Sequence, residues 1–521
     1  MEKKMAFNLW DQMRWTEQMV LAGTPLAGTV GAPSDPGGLP GLSNIRAYRY
    51  NSVTREFEGN TIITSSEVQH SYNDGLYETI TPANGVIFYI RADGGIVYYG
   101  DNGLPRMATQ DMIWNPNFTT NPTSEDDDEA PDGGDSGAQS THEGTVFINL
   151  GSHALFVTAT FATTGNDVIT KGGFVYGEGG HDSLIGSSGA DHLNGGDGND
   201  WLDGGAGGDL LDGGAGWDVV SYLLSSTSGV VVNLTTNENS GAATGDRLLN
   251  IELVEGTNYG DTITGVLREG GHGVELSGKG GNDYLIGKEG ADRLYGGDDN
   301  DWMFGGQGAD TIDGGNGWDV ASYLGMSSGI NVNLTTNENG GAAQGDQVLN
   351  VEVLQGTDYN DILTGVDRGG GIGVQLYGEG GADNLTGKGG GDYLYGGSGA
   401  DWLDGGWGSD ILVGGSGTDT FAFTAALGSG NVDDIRDFTV SDNDKIVLSR
   451  HVFTSVGLGV LSSAAFTAGV GATTAEHRII YNQATGDLSY DADGSGALAA
   501  VKFAAMSAAG AQLSASNFYV M

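Results

Sequence analysis

A nine-residue spacing of aspartates limits what this chain can fold into. The repeat is clearest at 195–203, which reads Gly-Gly-Asp-Gly-Asn-Asp-Trp-Leu-Asp, and a glycine stands five residues before each repeat aspartate. The pattern G-G-x-G-x-D-x-U-x, with U a large apolar residue, predicts a parallel β-helix that binds calcium. Three arrays of five carry the candidate metal ligands, which are Asp182, Asp191, Asp200, Asp209, Asp218, Asp283, Asp292, Asp301, Asp310, Asp319, Asp383, Asp392, Asp401, Asp410 and Asp419.

Each repeat position has a physical role. Glycines permit the positive φ angles and the close backbone approach of a tight six-residue loop. The loop carbonyls and the aspartate carboxylate supply the hard oxygen ligands that Ca²⁺ prefers. The remaining x-U-x is a short strand whose middle side chain points into the roll. These middle residues are Leu184, Leu193, Leu202, Leu211, Val220, Leu285, Leu294, Met303, Ile312, Ala321, Leu385, Leu394, Leu403, Leu412 and Phe421.

Composition supports a metal-dependent fold. The chain has 21 Lys and Arg against 68 Asp and Glu, a formal net charge of −47 that disfavours nucleic acid as a partner. Each coil buries few apolar side chains, and its carboxylates repel one another. We therefore expect the roll to be largely unfolded without calcium and folded with it.

The sequence lacks cysteine and the usual apolar targeting segments. The sequence has no cysteine, so no disulfide can stabilise the chain outside the cell. No apolar run reaches membrane-spanning length, so we expect no transmembrane segment. Residues 1–20 lack a continuous apolar core, and we expect no cleaved N-terminal secretory signal.

The chain before the first array divides at an acidic stretch. We predict a small β-rich N-terminal domain of unknown role at 1–120, since turn signals such as Asn84-Gly85 and Asp93-Gly94-Gly95 flank apolar runs. Residues 121–143 read as an acidic linker. Residues 144–220 hold leading strands and the first array, with an outlying half-repeat at Gly165-Asn166-Asp167.

A longer repeat separates the arrays. Residues 230–239 return almost unchanged at 330–339, and Asp261-Thr-Ile-Thr-Gly returns as Asp361-Ile-Leu-Thr-Gly. We expect these strand-rich segments to continue the roll with wider coils. The predicted units are 221–320 and 321–420, each an inter-array segment followed by an array.

The arrays resemble the repeats-in-toxin (RTX) family of secreted calcium-binding proteins over residues 165–420. In that family each ion lies between one loop and the loop two nonapeptides later. The resemblance pairs Asp182, Asp191 and Asp200 with Asp200, Asp209 and Asp218, and likewise in the later arrays. It implies about nine or more Ca²⁺ ions. Asp299 replaces a loop glycine and puts the geometry of the Asp301 loop in question.

The segment 421–521 is similar to the C-terminal region of serralysin-type RTX proteins. The likeness rests on Asp419-Thr420-Phe421, Asp444-Lys445-Ile446 and Tyr490-Asp491-Ala492-Asp493-Gly494. It implies a β cap that ends the roll and an uncleaved signal read by a type I secretion exporter. The terminus has Asn517 where the family often has an acid.

Catalytic motifs are missing from the sequence. None of the eight histidines forms the H-E-x-x-H zinc site, and no G-x-S-x-G elbow or phosphate loop occurs, so no catalytic residue is assigned. An unrecognised activity in residues 1–120 stays open. Trp201, Trp302 and Trp402 share one outward slot, which suits either packing against the roll or contact with a glycan.

The sequence therefore predicts an all-β protein, a calcium-bound parallel β-roll in three arrays between an N-terminal β-rich domain and a C-terminal β cap. We expect a secreted, extracellular or cell-surface protein with a structural or adhesive role. A cell-surface glycan or protein is a candidate partner for the N-terminal domain. The alternative is a secreted hydrolase with its catalytic unit in residues 1–120.

Overall fold

The computed structural model describes residues 45–51, 56–63, 76–80, 88–91, 96–99, 105–107, 142–149 and 154–521, apart from 225, 429 and 508–511. Within these ranges it is all-β, with strands and four short 3-10 helices, at Glu269–Gly271, Val440–Asp442, Ser463–Ala465 and Ala515–Asn517.

Strands near the N-terminus pair antiparallel. They are β1 (Ile45–Asn51), β2 (Glu56–Ile63), β3 (Leu76–Ile80), β4 (Phe88–Arg91), β5 (Ile96–Tyr99), β6 (Pro105–Met107), β7 (His142–Asn149) and β8 (Ala154–Phe161). Strands β3 to β6 form a four-stranded meander. Strands β4 and β5 pair antiparallel, and the turn predicted between them at Asp93-Gly94-Gly95 lies outside the described residues.

The roll begins with short strands at nine-residue intervals. Those of the first array and the segment after it are β9 (Val168–Thr170), β10 (Phe174–Tyr176), β11 (Ser183–Ser187), β12 (His192–Asp197), β13 (Trp201–Gly205), β14 (Leu210–Ala215), β15 (Val219–Ser221), β16 (Val230–Asn233), β17 (Ser240–Gly241), β18 (Arg247–Leu249), β19 (Leu253–Glu255) and β20 (Thr262–Thr264).

The same order returns in the second and third arrays. These strands are β21 (Glu275–Gly280), β22 (Tyr284–Glu289), β23 (Arg293–Asp298), β24 (Trp302–Gln307), β25 (Thr311–Asn316), β26 (Val320–Ser322), β27 (Ile330–Asn333), β28 (Gly340–Gly341), β29 (Gln347–Leu349), β30 (Val353–Gln355), β31 (Ile362–Thr364), β32 (Ile372–Tyr377), β33 (Asn384–Gly389), β34 (Gly391–Gly399), β35 (Trp402–Trp407), β36 (Ile411–Gly417) and β37 (Thr420–Phe423).

The C-terminal strands close the roll. They are β38 (Asp433–Ile435), β39 (Lys445–Leu448), β40 (Gly459–Val460), β41 (Phe466–Ala468), β42 (Ile479–Asn482), β43 (Asp487–Tyr490), β44 (Val501–Met506) and β45 (Phe518–Val520). Parallel pairing passes from β38 to β44 and from β39 to β45. The antiparallel strands β43 and β40 then follow, which ends the parallel stack at both sheets.

Four sheets build the roll, and successive strands alternate between its two faces. Sheet I runs β18-β14-β12-β10-β8-β1-β2, and sheet II runs from β29 to β9 through β19 and β21. Sheet III contains 15 strands from β17 to β41, and sheet IV contains 9 strands from β28 to β40. Sheet III takes over the face of sheet I after β18, and sheet IV takes over the face of sheet II after β29. Each takeover lies where the opposite sheet is continuous.

The interior of the roll is a ladder of apolar side chains. All fifteen residues predicted to point inward have a relative exposure of 0%, among them Leu184, Met303 and Phe421. Within an array, partners in this ladder are eighteen residues apart, as in Leu184 beside Leu202. The prediction of a parallel roll with this register is therefore confirmed.

The segments between arrays continue the roll, as predicted. Leu211 of β14 pairs with Leu248 of β18, so one coil has 37 residues instead of eighteen. Ile263 of β20 pairs with Leu285 of β22, which is a coil of 22 residues. The inward position stays apolar because the coil grows only in its loops.

Candidate metal sites along the loops of the roll

Each array loop is held to the next coil by its aspartate. The backbone N–H of Asp182 donates to Oδ1 of Asp200 at 2.8 Å, and the N–H of Asp200 donates to Oδ1 of Asp218 at 2.8 Å. All fifteen array aspartates donate in this way to an acid of the following coil. The structure thus brings together the loops that the resemblance pairs.

The second carboxylate oxygen has a different environment. In thirteen array aspartates Oδ2 is buried and has no hydrogen-bond partner in the described part of the chain. An orphaned buried carboxylate oxygen is costly unless a cation or a donor reaches it. These aspartates are Asp182, Asp200, Asp209, Asp218, Asp283, Asp292, Asp301, Asp310, Asp319, Asp383, Asp392, Asp401 and Asp410.

Backbone carbonyls share the space around this oxygen. A Cβ placed on Gly195 would lie 2.2 Å from Oδ2 of Asp200 and 2.5 Å from the carbonyl oxygen of Gly213 in the next coil. Gly296 and Gly396 have the same neighbours one and two arrays on. The first glycine of the repeat therefore leaves a cradle of acceptor oxygens that any side chain would fill. Hard oxygens from a carboxylate and carbonyls fit Ca²⁺.

The electrostatics of the loops favour a bound cation. Burial raises the pKa of Asp283 to about 8, and the carboxylates of Asp301 and Asp261 add to the increase. Burial likewise raises the pKa of Asp209 to about 7 and that of Asp383 to about 8. The fold thus holds carboxylates where their charged form is disfavoured, and a divalent cation would relieve this.

Side-chain donors alone do not make these sites. Across the described ranges, no group of three His, Cys, Asp or Glu side chains could hold a metal ion. The orphaned oxygens are spread one per loop, and the rest of the cradle is backbone. Because backbone atoms form most of such a site, the sequence reveals it through the spacing of its glycines and not through a cluster of ligand side chains.

The structure adds acids that the nine-residue spacing does not reveal. Asp209 donates its N–H to Oδ1 of Asp246, and Asp218 donates to Oε2 of Glu252. Each added acid stands two residues before a buried apolar side chain, such as Leu248 after Asp246. That short signal could have found them in the sequence. They are Asp167, Asp246, Glu252, Asp261, Asp346, Glu352, Asp361, Asp433 and Asp444.

The three outward tryptophans are covered to different degrees. Trp302 is 7% exposed and its ring stacks on Tyr284 at 4.2 Å. Trp201 is half-buried, with its indole N–H 3.5 Å from Oε2 of Glu255. Because the faces of Trp302 and Tyr284 are used against each other, packing explains Trp302 better than a glycan contact does.

The fold and the loop geometry define a calcium-binding parallel β-roll. The arrays match the family model of the RTX calcium-binding nonapeptide repeat (4 copies), at residues 176–211, 194–222, 277–312, 299–322, 374–394 and 386–421. The three arrays are therefore RTX nonapeptide repeats, and such repeats bind Ca²⁺. The match ends at residue 421, so the serralysin-like character of the tail stays a prediction. A comparison with curated proteins finds no match.

Proposed function

We propose that this protein is a secreted rod with a structural or adhesive role at the cell surface or in the extracellular matrix, and that calcium sets its shape. The RTX repeats indicate a secreted calcium-binding protein. The described residues contain no helix of the length and apolarity needed to cross a bilayer. The array aspartates with an orphaned Oδ2 are the proposed ligands, each through that oxygen.

One observation carries the structural role, namely the unbroken stack of parallel coils. Sheet II joins the first array to the second, and sheet III joins the second to the third. About fifteen layers spaced by ~4.8 Å give a rod roughly 70 Å long. A rod whose loops bind many ions is stiff only when calcium is present, which suits a component of a matrix outside the cell.

The other sequence hypotheses remain proposals. Export by a type I exporter would use the tail 462–521, where Phe518 and Val520 are buried in sheet IV. Recognition of that tail then precedes folding. The hydrolase alternative and the surface partner both concern side chains of residues 1–120, which lie outside the described residues.

Fractionation of the cells that produce the protein tests the proposal. We expect the protein in the cell-surface or matrix fraction in millimolar calcium, and its release within minutes of adding a calcium chelator. The same treatment with magnesium restored but calcium withheld serves as the control. Protein found wholly free in the medium with calcium present would contradict a structural or adhesive role.

A further inference from the structure

We infer that the second residue of each loop decides whether the loop aspartate binds calcium or is satisfied by the protein itself. This residue lies four positions before the acid. The inference rests on the proposed role of the array aspartates as calcium ligands. It sorts the acids of the roll into two kinds, and it separates Asp191 from the other array aspartates.

In the first kind of loop, the second residue has a positive φ angle. Gly196 has φ +107°, and the Oδ2 of Asp200 four residues later is buried without a partner. Lys279 has φ +76° before Asp283, whose Oδ2 is orphaned in the same way. A lysine in this region of backbone space is strained. The angle is therefore kept even where glycine is not, and in both loops the N–H of this residue makes no hydrogen bond to Oδ2 of the acid.

In the second kind of loop, the second residue is Ser or Thr and its backbone N–H donates to the acid. The N–H of Ser187 lies 2.6 Å from Oδ2 of Asp191, and the Ser187 hydroxyl lies 3.0 Å from the same oxygen. Thr257 and Thr357 donate to Oδ2 of Asp261 and Asp361, each at 2.6 Å. None of these three residues has a positive φ angle.

The donated N–H excludes a cation from that oxygen. Its hydrogen carries the positive end of the peptide dipole and lies where a metal ion would have to bind. The carboxylate is already compensated by two or three hydrogen bonds, so a cation would gain little and would displace them. These loops are closed by the protein and need no calcium.

The self-satisfied acids lie where the ladders begin and end. Asp191 is the first acid of the ladder in sheet I, whereas Asp261 and Asp361 open sheets III and IV. At the other ends, Tyr222 donates its phenol O–H to Oδ2 of Asp246 at 3.0 Å. Tyr323 does the same for Asp346 at 3.0 Å. At each of these five ends, donors of the protein satisfy the Oδ2 of the acid.

Calcium stoichiometry of the full chain tests the inference. Bound calcium per chain is measured by equilibrium dialysis with atomic absorption in saturating calcium, for wild type, Asp191→Asn, Asp200→Asn and Ser187→Gly. We expect Asp191→Asn to bind as many ions as wild type and Asp200→Asn to bind at least one fewer. Ser187→Gly should bind one more, because glycine can adopt the positive φ that frees Oδ2 of Asp191. Ser188→Gly, one residue along in the same loop, is the matched control and should leave the count unchanged.

The outcomes separate this inference from the proposed function. If Asp191→Asn loses as many ions as Asp200→Asn, or if Ser187→Gly gains none, the role of the second residue is wrong although the roll binds calcium. A wild-type chain that binds no calcium would overturn the proposed function and the inference together. Misfolding of an Asp→Asn variant could also lower its calcium count. Misfolding cannot raise the count, so a gain of one ion in Ser187→Gly is a test that misfolding does not confuse.

Discussion

At the scale of single residues, the roll depends on backbone angles that most side chains avoid. Asp299 takes the place of the fourth loop residue, elsewhere glycine, and it has φ +77°. Asp301, two residues later, keeps the same orphaned Oδ2 as its equivalents in the other arrays. The loop geometry that the sequence left in question is therefore preserved, at the cost of local backbone strain.

Close approach is the stronger reason for glycine at this fourth position. A Cβ on Gly198 would lie 1.5 Å from the carbonyl oxygen of Gly180 in the preceding coil. Gly173 also has a positive φ, +94°, but a Cβ there would meet nothing within 4 Å. We predict that Gly173→Ala lowers the free energy of unfolding in calcium by about 1 kcal/mol, and that Gly198→Ala lowers it by more than about 3 kcal/mol. Urea titrations in saturating calcium would measure both, and equal losses would show that steric clash between coils does not matter.

At the scale of elements, an arginine side chain supplies a positive charge at each joint between two arrays. Arg368 lies 2.6 Å from Oε1 of Glu352, and Arg268 pairs with Glu252 at the equivalent joint. Both glutamates are buried and accept an N–H from the preceding coil through their other oxygen. Both arginines precede a coil whose acid position is a valine, Val274 or Val374. A guanidinium therefore neutralises the joint acid that lies beside a coil without a carboxylate.

Removal of the Arg368 guanidinium should destabilise the joint between the second and third arrays. Arg368→Ala leaves the Glu352 carboxylate buried and unpaired, which costs roughly 3–5 kcal/mol. Arg293→Ala is the matched control, because Arg293 is exposed and 4.0 Å from Glu275, and it should cost less than about 1 kcal/mol. Hydrogen exchange of the strands β30 and β32 in calcium would report the difference. Equal protection in the two variants would contradict a structural role for the pair, and Glu352→Gln should rescue Arg368→Ala.

At the scale of the whole molecule, the fold has two staggered seams. Sheet I gives way to sheet III and sheet II gives way to sheet IV at different levels along the roll. At no level are the sheets of both faces interrupted together. A rod built in this way resists bending at its joints because one sheet always crosses the joint. The formal charge of −47 opposes the same compact state when no cation is bound.

The continuous sheets favour a compact chain and the net negative charge opposes it, so we predict that the radius of gyration changes strongly with calcium. In chelator the radius of gyration should rise toward the roughly 85 Å expected of an unfolded chain of this length, and in calcium it should fall by about half or more. Small-angle scattering with a parallel circular dichroism titration would measure this. Magnesium at equal concentration is the control, since it demands octahedral geometry and gives up water reluctantly. A compact, strand-rich chain in chelator would contradict the calcium-dependent fold.

Much of this architecture could be read from the sequence because its rules are local. Gly195 to Asp203 specify a loop and a strand within nine residues, and within an array the partner is the same motif two repeats later. The inward position of Leu202 was therefore predicted correctly without knowledge of the fold, whereas the role of Asp200 as a calcium ligand stays a prediction. The wider coils had a weaker signal, since Asp246 and Glu252 lie outside the glycine register and precede their apolar residues only by the short acid-x-apolar spacing.

The sequence alone determined the parallel roll, its register and the residues that line its interior, because a periodic pattern needs only its own repeat to pair. Tertiary structure decided where each ladder ends and which carboxylates are left without a donor. Ser187 and Gly196 occupy equivalent positions, yet only the folded backbone shows that the N–H of Ser187 donates to Oδ2 of Asp191 and that the N–H of Gly196 does not donate to Oδ2 of Asp200. The reason is that a hydrogen bond to a carboxylate depends on the direction of a single peptide group, which the spacing of residues does not fix.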